Sequence, residues 1–576
     1  MPNGYLVMNI RFRPKLIDTL PGYNASAFYH DISAGITVGV LALPLAMAFA
    51  IASGMSPAAG IWTAIIAGFL ISALGGSRVQ IGGPTGAFIP IIYAIVADYG
   101  VQNLLIASMM SGVLLFAMGA LNLGTMIRFI PINVVIGFTN GIAVVIFLSQ
   151  IKDFFGLNIP TVPGEFFAKM EAFYHAAPTI RLPTLLLAVC SLAFLIGWNK
   201  IAIRVIWMRK VPSPLAVLII ATAINILFPL PVDTIGSRFP GGIPQGLPHI
   251  GLPELSLSTL GKLIAPAITI ALLGAIESLL SARVADNQID DRHNPNQELM
   301  AQGIANVAAP LFGGFAATGA IARTATNIRA GGSTPVAGII HALVLLTIVF
   351  ALAPLASDIP LATLSAIVVL VSVNMGEWHS FRLKALKRSS GYDRVILLST
   401  FFLTVVFDLT LAVEIGLILA SLFFIFRMSN LTSIVRIKLK DVSDLSPEQI
   451  AEDSKRIQIY QLTGSLFFGA SNKLESLLMM NGEKPDVVIL EMSKTIVIDT
   501  TGLSILQSLH KKLLKTGARL ILCDLGSQPA AFILRSGFRE EITENCIAGN
   551  MTEAIIRAQR ILRPHDDTAN AQTQIS

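Results

Sequence analysis

The chain has 576 residues, 53% of them hydrophobic and 13% charged, with a net charge of +6 and a mean hydropathy of +0.70. A soluble domain carries about 25% charged residues, so an ordinary soluble protein is excluded and a membrane protein is indicated. The surplus of Lys and Arg suits cytoplasmic loops and asks for no nucleic acid. The three cysteines, Cys190, Cys523 and Cys546, have neither a disulfide-framework nor a zinc spacing.

Taken in chain order, residues 1–30 lack a long apolar core and a small-residue cleavage site. They are expected to form a cytoplasmic N-terminal segment with no cleaved signal peptide. From Ile32 to Ser77 there is no Asp, Glu, Lys or Arg, which leaves room for two spanning helices of about 20 residues each. Apolar segments recur as far as Phe426. Spans are expected at 33–53, 58–75, 84–97, 102–120, 131–151, 182–199, 212–230, 263–283, 297–312, 318–330, 335–353, 360–376, 394–408 and 411–426. These fourteen, two of them short, make a transmembrane domain over 31–428. An even count puts both termini on one side. Lys200, Arg204, Arg209 and Lys210 fall on that side, as do Arg382, Lys384, Lys387, Arg388 and Arg394, together with Arg11, Arg13 and Lys15. The positive-inside rule makes it the cytoplasm.

Residues 429–454 read as a linker, polar and acidic from Asp441 to Ser454. Beyond it, IQIYQL, DVVILEM and ARLILCDL read as buried strands. LSILQSLHKKLLKTG, 503–517, reads as an amphipathic helix with Leu503, Leu506, Leu509, Leu513 and Leu514 on one face and a glycine at its end. Alternating strands and helices predict a small α/β domain over 455–562. The tail, 563–576, has a disordered composition.

Two short strings in the membrane part match. GGPTGAFIP, 82–90, contains Thr85-Gly86-Ala87, and GFAATGAIAR, 314–323, contains Thr318-Gly319-Ala320. The offset between them carries Pro44 of LALPLAMAFA onto Glu277 of LLGAIESLLSA. Seven spans per half give the halves opposite orientation, and Gly/Pro-broken segments at matching positions point to a transporter's binding site. A segment that is extended and then helical presents free N–H groups at the helix start. That end carries about half a positive charge and holds anions. Arg323 adds a full charge. A tight helix crossing, with Arg323 reaching back to water, would account for the same residues. No GxxxxGK[ST] string occurs, so transport would be secondary, and no nucleophile–base set suggests an enzyme.

These residues resemble the SulP family of anion transporters, which join a 7+7 inverted-repeat membrane domain to a cytoplasmic STAS domain. The resemblance rests on GITVGVLALPLAMAFAIASGMSPAAGIW (35–62), GGPTGAF (82–88), LLGAIESLLSARVAD (272–286), GGFAATGAIARTATNIRAGG (313–332) and VIDTTGLSIL (497–506). It implies a core of spans 1–4 and 8–11 moving like an elevator against a gate of spans 5–7 and 12–14. It also implies a substrate held by Thr85, Gly86 and Ala87 and by Thr318, Gly319, Ala320, Ile321, Ala322 and Arg323, with Pro44 and Leu45 from the first span. Glu277 stands at the family's acidic position, with Ser281 one turn on, as the cation-coupling pair for H+ or Na+; no other cofactor is implied. PLAMA with LGAIESLL is similar to the C4-dicarboxylate carriers of the family. Sulfate-type oxyanions, bicarbonate and C4-dicarboxylates stay open as substrates. The resemblance further implies a homodimer in the bacterial inner membrane and a cytoplasmic protein partner at the STAS domain. Asp499-Thr500-Thr501-Gly502 resembles the STAS loop whose serine is phosphorylated, with Thr500 in that place; a helix N-cap would use the same residues. An uncoupled exchanger, an anion sensor with STAS output and a nucleobase carrier are the competing readings.

Overall fold

The structure, a computed structural model, describes residues 12–563 except 126–130, 161, 203–210, 240–245, 247, 249, 252, 254–256, 353–356, 408, 443–444, 467–484 and 544–545. Arg11, Arg204, Arg209, Lys210 and nearly all of the expected tail lie outside these residues.

Each of the fourteen expected spans is occupied by a helix. In the first half these are Ala25–Ala52, Pro57–Leu74, the stretch Ile89–Ala120, Ile132–Ser149, Leu182–Ala202 and Ser213–Leu227. In the second half they are Leu257–Ile289, Pro295–Leu311, Ile321–Arg329, Pro335–Leu352, Leu361–Met375, Gly391–Val406 and Leu409–Leu431. The third and fourth spans share the stretch 89–120 and part at Gly100, whose φ of 82° and ψ of 167° leave the helix in a region that glycine tolerates. Local signals set the ends. Asn24 accepts from the Ala27 N–H and Ser56 from the Ala59 N–H, with Pro57 at the first helical position. Small residues let helices approach closely: a side chain on Gly35 or Gly39 would collide with Ile340 or Val344 of the eleventh span. Asp31 fixes that same packing by accepting from the backbone N–H groups of Ser333, at 2.8 Å, and Thr334, at 3.3 Å.

The feature that organises the membrane part is a crossing of two short strands. β1 (Gly82–Gly83) pairs antiparallel with β2 (Thr318–Gly319), Gly82 opposite Gly319 and Gly83 opposite Thr318. Each strand leads into a helix start, at Gly86 and at Ile321. Extended backbone at membrane depth needs partners inside the protein. The pairing supplies part of that need, and both strands are buried.

The chain divides into two compact units, Met1–Ile418 and Leu419–Ser576. The division falls inside the Leu409–Leu431 helix, which also runs through the domain boundary expected at 428. The second unit is built on a six-stranded sheet in the order β3-β4-β5-β7-β8, with β6 also on β4. β4 (Ile457–Leu466), β5 (Val487–Glu491), β6 (Thr495–Ile498) and β7 (Arg519–Cys523) lie where the apolar runs predicted strands. β8 is Ile547–Ala548. The segment expected as a linker departs from that expectation. Its SIVRI run, rich in β-branched residues, is β3 (Ser433–Ile437), antiparallel to β4. The helix Thr500–Lys515 buries Leu503, Leu506, Leu509 and Leu513 on one face of the sheet, and Met551–Leu562 buries Ala554, Ile555 and Ala558 on the other. Leu514, expected on the buried face, is 41% exposed. It follows Leu513 by one residue, or about 100° around the helix.

Candidate functional site

The two helix starts leave their first-turn donors open. Neither N-cap residue, Thr85 or Ala320, caps its helix with a side chain. The first N–H groups of a helix have no partner within it, so those of Gly86–Ala87 and of Ile321–Arg323 are available to a ligand. Ile321 and Ala322 are exposed and Thr85 is half-buried, whereas Gly86 and Ala87 are buried. Each helix start carries partial positive charge. Glycine keeps the spot narrow: a side chain on Gly86 would meet Ile146 of the fifth span and Phe49 of the first.

The eighth span, Leu257–Ile289, runs beneath the crossing. Glu277 accepts a hydrogen bond from the Thr85 hydroxyl at 3.0 Å. Its neighbour Ser278, which the sequence reading overlooked, holds the other strand: its Oγ lies 2.8 Å from Thr318 Oγ1 and accepts from the Gly319 N–H at 3.1 Å. Gly274, Ser278 and Ser281 form a small-residue stripe at helical spacing, which is the sequence signal that could have revealed it. Ser281 turns to Thr324, at 3.5 Å, so it and Glu277 have different partners. Alongside this helix lies a cavity of about 890 Å3 lined by residues that include Ile276, Leu280, Arg283, Asp286 and His293.

Arg323 is buried, at 1% exposure. It does not reach back to water. Its Nη2 donates to the Pro84 carbonyl at 2.8 Å, and its Nη1 has no hydrogen-bond partner. Gly83 makes room for it, since a side chain there would collide with Nη1. The guanidinium therefore lies behind the crossing and clamps the backbone before the first helix start. Pairing between Arg323 and Glu277 is not made: the one bonds Pro84 and the other Thr85.

The matching strings are out of step. In the antiparallel pair Gly82 faces Gly319 and Gly83 faces Thr318. The local two-fold therefore exchanges Thr318 with Gly82, and Gly319 with Gly83. Continued along the chain, Thr85 corresponds to Ile321, Gly86 to Ala322 and Ala87 to Arg323. The inverted crossing is real, but the shared Thr-Gly-Ala does not mark equivalent places. Small-residue strings recur in membrane helices because close packing selects them. Thr318 is accordingly buried against Ser278, while Thr85 sits at a helix start.

The remaining expected residues are placed as follows. Pro44 lies inside the Ala25–Ala52 helix and is buried, and Leu45 is buried in the apolar core beside Phe49. A proline there removes one backbone donor from the helix. Ala320 donates its N–H to the Ile81 carbonyl at 2.8 Å, so that donor is used by the protein. In the second unit Asp499 is the helix N-cap, accepting from the Gly502 N–H at 2.7 Å, and Thr500 is exposed at the first helical position.

Residues 28–400 match the model of the sulfate permease family, and 449–553 match that of the STAS domain. A protein of Bacillus subtilis named as a sulfate transporter, YvdB, is 43% identical over 523 residues, covering 90% of this chain and 96% of its own. The bicarbonate transporter BicA of Picosynechococcus is 32% identical over 468 residues, covering 77% of this chain and 79% of its own. The solved structure of the murine Slc26a9 anion transporter, titled as inward-facing, superposes with a TM-score of 0.83 over 97% of this chain and 95% of that one; at 20% identity it bears on the fold alone.

Proposed function

This chain belongs to the sulfate permease family, a multi-pass membrane transporter of anions and not an enzyme, and we propose that it is a secondary transporter of a small oxyanion coupled to protons through Glu277. The observation that carries this reading is the crossing itself: two paired strands each run into an uncapped helix start, and a carboxylate from the eighth span bonds the threonine at the first of them. An oxyanion bound there would accept from the N–H groups of Gly86, Ala87, Ile321 and Ala322. Thr85, Gly319 and Ala320 would shape the spot, Phe49 and Leu45 would wall one side, and Arg323 would contribute its charge from behind.

Geometry supports the coupling. An ionisable group within a span costs roughly 2.5–3.5 kcal/mol on insertion scales and is functional by default. Among the described residues Glu277 has a neutral hydroxyl as its hydrogen-bond partner. A proton on Glu277 would remove a negative charge beside the incoming anion, so proton and anion favour each other's binding. Separation of Ser281 from Glu277 by different partners supports a proton over a sodium ion. The names of YvdB and BicA favour sulfate and bicarbonate as the first substrates to test, with succinate third. Core spans moving against gate spans, a homodimer, an inner-membrane location with both termini cytoplasmic, and a protein partner or phosphorylation at the exposed Thr500 belong to the same proposal.

The test is uptake of radiolabelled sulfate, bicarbonate and succinate into proteoliposomes, with an imposed proton or sodium gradient, for wild type and Glu277→Gln. Uptake that follows the proton gradient in wild type and ignores it in the variant is expected. Uptake indifferent to both gradients and to the substitution would make the protein an exchanger and remove Glu277 from coupling.

A further inference from the structure

Glu298, in the ninth span, is a fully buried carboxylate that the proposed mechanism does not use. It accepts from the backbone N–H of Gly76 at 2.9 Å and of Ser77 at 3.3 Å. Its other oxygen accepts from the side-chain amides of Gln80 and Gln302, each at 2.9 Å. Four donors satisfy a carboxylate, and donors of this kind make strong bonds. Three of the four come from residues 76–80, the bent loop that leads into β1.

Gln80 carries the effect further. It is buried, and its amide lies so close to Gly319 that any side chain on that residue would run into it. Glu298 therefore pins Gln80 against β2 while holding the backbone that becomes β1. One residue, remote from the helix starts, acts on both strands. The opposite half does the reverse with a neutral group: Thr63 of the second span accepts from the Phe315 N–H at 2.8 Å, just ahead of β2. The second helix of each half thus holds the approach to the other half's strand.

We propose that Glu298 is a positioning residue for the anion site, setting both helix starts through residues 76–80 and the Gln80–Gly319 contact. The proposal rests on the reading of the crossing as the anion site. A buried group with four partners is also a packing element, so the test must separate the two roles. Glu298→Gln keeps the shape and can re-pair with flipped glutamines, because the Gln80 and Gln302 carbonyl oxygens are both without partners. Gln80→Met breaks only the link from Glu298 to β2.

The experiment is hydrogen exchange on the full-length wild type, Glu298→Gln and Gln80→Met, read on peptides covering 75–88 and 316–324, together with sulfate and bicarbonate uptake against concentration. Gln80→Met is expected to exchange at least tenfold faster in these peptides, and Glu298→Gln to a smaller extent, since its re-paired bonds are neutral rather than charge-assisted. They should also raise the half-saturating anion concentration about fivefold or more, with the maximal rate changed less than about twofold. Unchanged exchange in both peptides overturns the proposal. So does faster exchange with an unchanged half-saturating concentration, which would leave Glu298 a packing residue. If wild type takes up neither anion, the transport reading fails on its own, and the exchange result still decides whether Glu298 sets the two strands.

Discussion

The two arms of the crossing do the same geometric task with different chemistry. The first arm, residues 76–85, is held by three ionisable side chains from the second half of the chain: Glu298 on Gly76 and Ser77, Arg323 on the Pro84 carbonyl, and Glu277 on the Thr85 hydroxyl. Thr324 and Asn327 add neutral bonds to Ile81 and Val79. The second arm, residues 315–319, is held among the described residues by hydroxyls and an amide. Thr63 bonds Phe315, Asn306 bonds both backbone groups of Ala317, and Ser278 bonds Thr318 and Gly319. Charge-assisted bonds are about twice as strong as neutral ones, but a buried charge left alone is far more damaging than a buried hydroxyl left alone. The first arm should therefore respond to substitution sharply and the second gradually.

The largest effect is expected at Gly83. Its φ is 146°, and valine there would strike the Arg323 guanidinium. Displacing a buried charge costs about 3–5 kcal/mol, so Gly83→Val should abolish uptake and lower the thermal midpoint measured in detergent. Survival of full uptake would refute the clamp. Arg323→Met comes next. It leaves the Pro84 carbonyl without its donor and removes the charge behind the site. Uptake at low anion concentration should fall at least tenfold, with Arg323→Lys failing to restore it, because a point ammonium does not replace a planar fork.

On the neutral arm, Ser278→Ala removes two bonds worth about 0.5–1.5 kcal/mol each. The half-saturating anion concentration should rise roughly tenfold while the protein stays folded by circular dichroism. Thr63→Val should be milder still. It loses one bond to the second arm, about 1 kcal/mol, the bond it donates to the Ala59 carbonyl lying within its own helix, and an uptake change larger than that at Arg323→Met would invert the comparison.

The spans and the strands of the second unit were legible because both are written in apolar runs: a charge-free stretch in a membrane and IQIYQL or RLILC in a sheet each have one economical arrangement. The strand at Ser433–Ile437 is not legible in the sequence because one short edge strand hardly registers among polar and basic neighbours such as Arg436, Lys438 and Lys440. At the site, the extended-then-helical segments and the acid beneath them could be read from glycines, prolines and a lone charge. The register could not. Thr85 and Thr318 share a string, yet the strands pair Thr318 with Gly83, so that the two-fold makes Thr318 the equivalent of Gly82 and not of Thr85. Arg323 was legible as a charge near the site but not as a buried backbone clamp, since its burial depends on Gly83, far away in sequence. Glu298 and Gln80 were silent for the same reason. A polar residue near the end of a span looks like a solvated helix terminus until the loop that fills its bonds is in place.

The pairing of β1 with β2 also has a consequence for how the protein is made. Gly83 leaves the ribosome long before Thr318 exists; at about 5–20 residues per second the delay is roughly ten seconds or more. Throughout that interval residues 76–85 have none of the partners that β2, Glu298 and Arg323 later provide, and hydrocarbon offers no substitutes. The first half must therefore wait in a shielded state, inside the insertion machinery or beside a membrane chaperone. A ribosome stalled before residue 298 should yield a half-protein that is captured and degraded rather than one that folds.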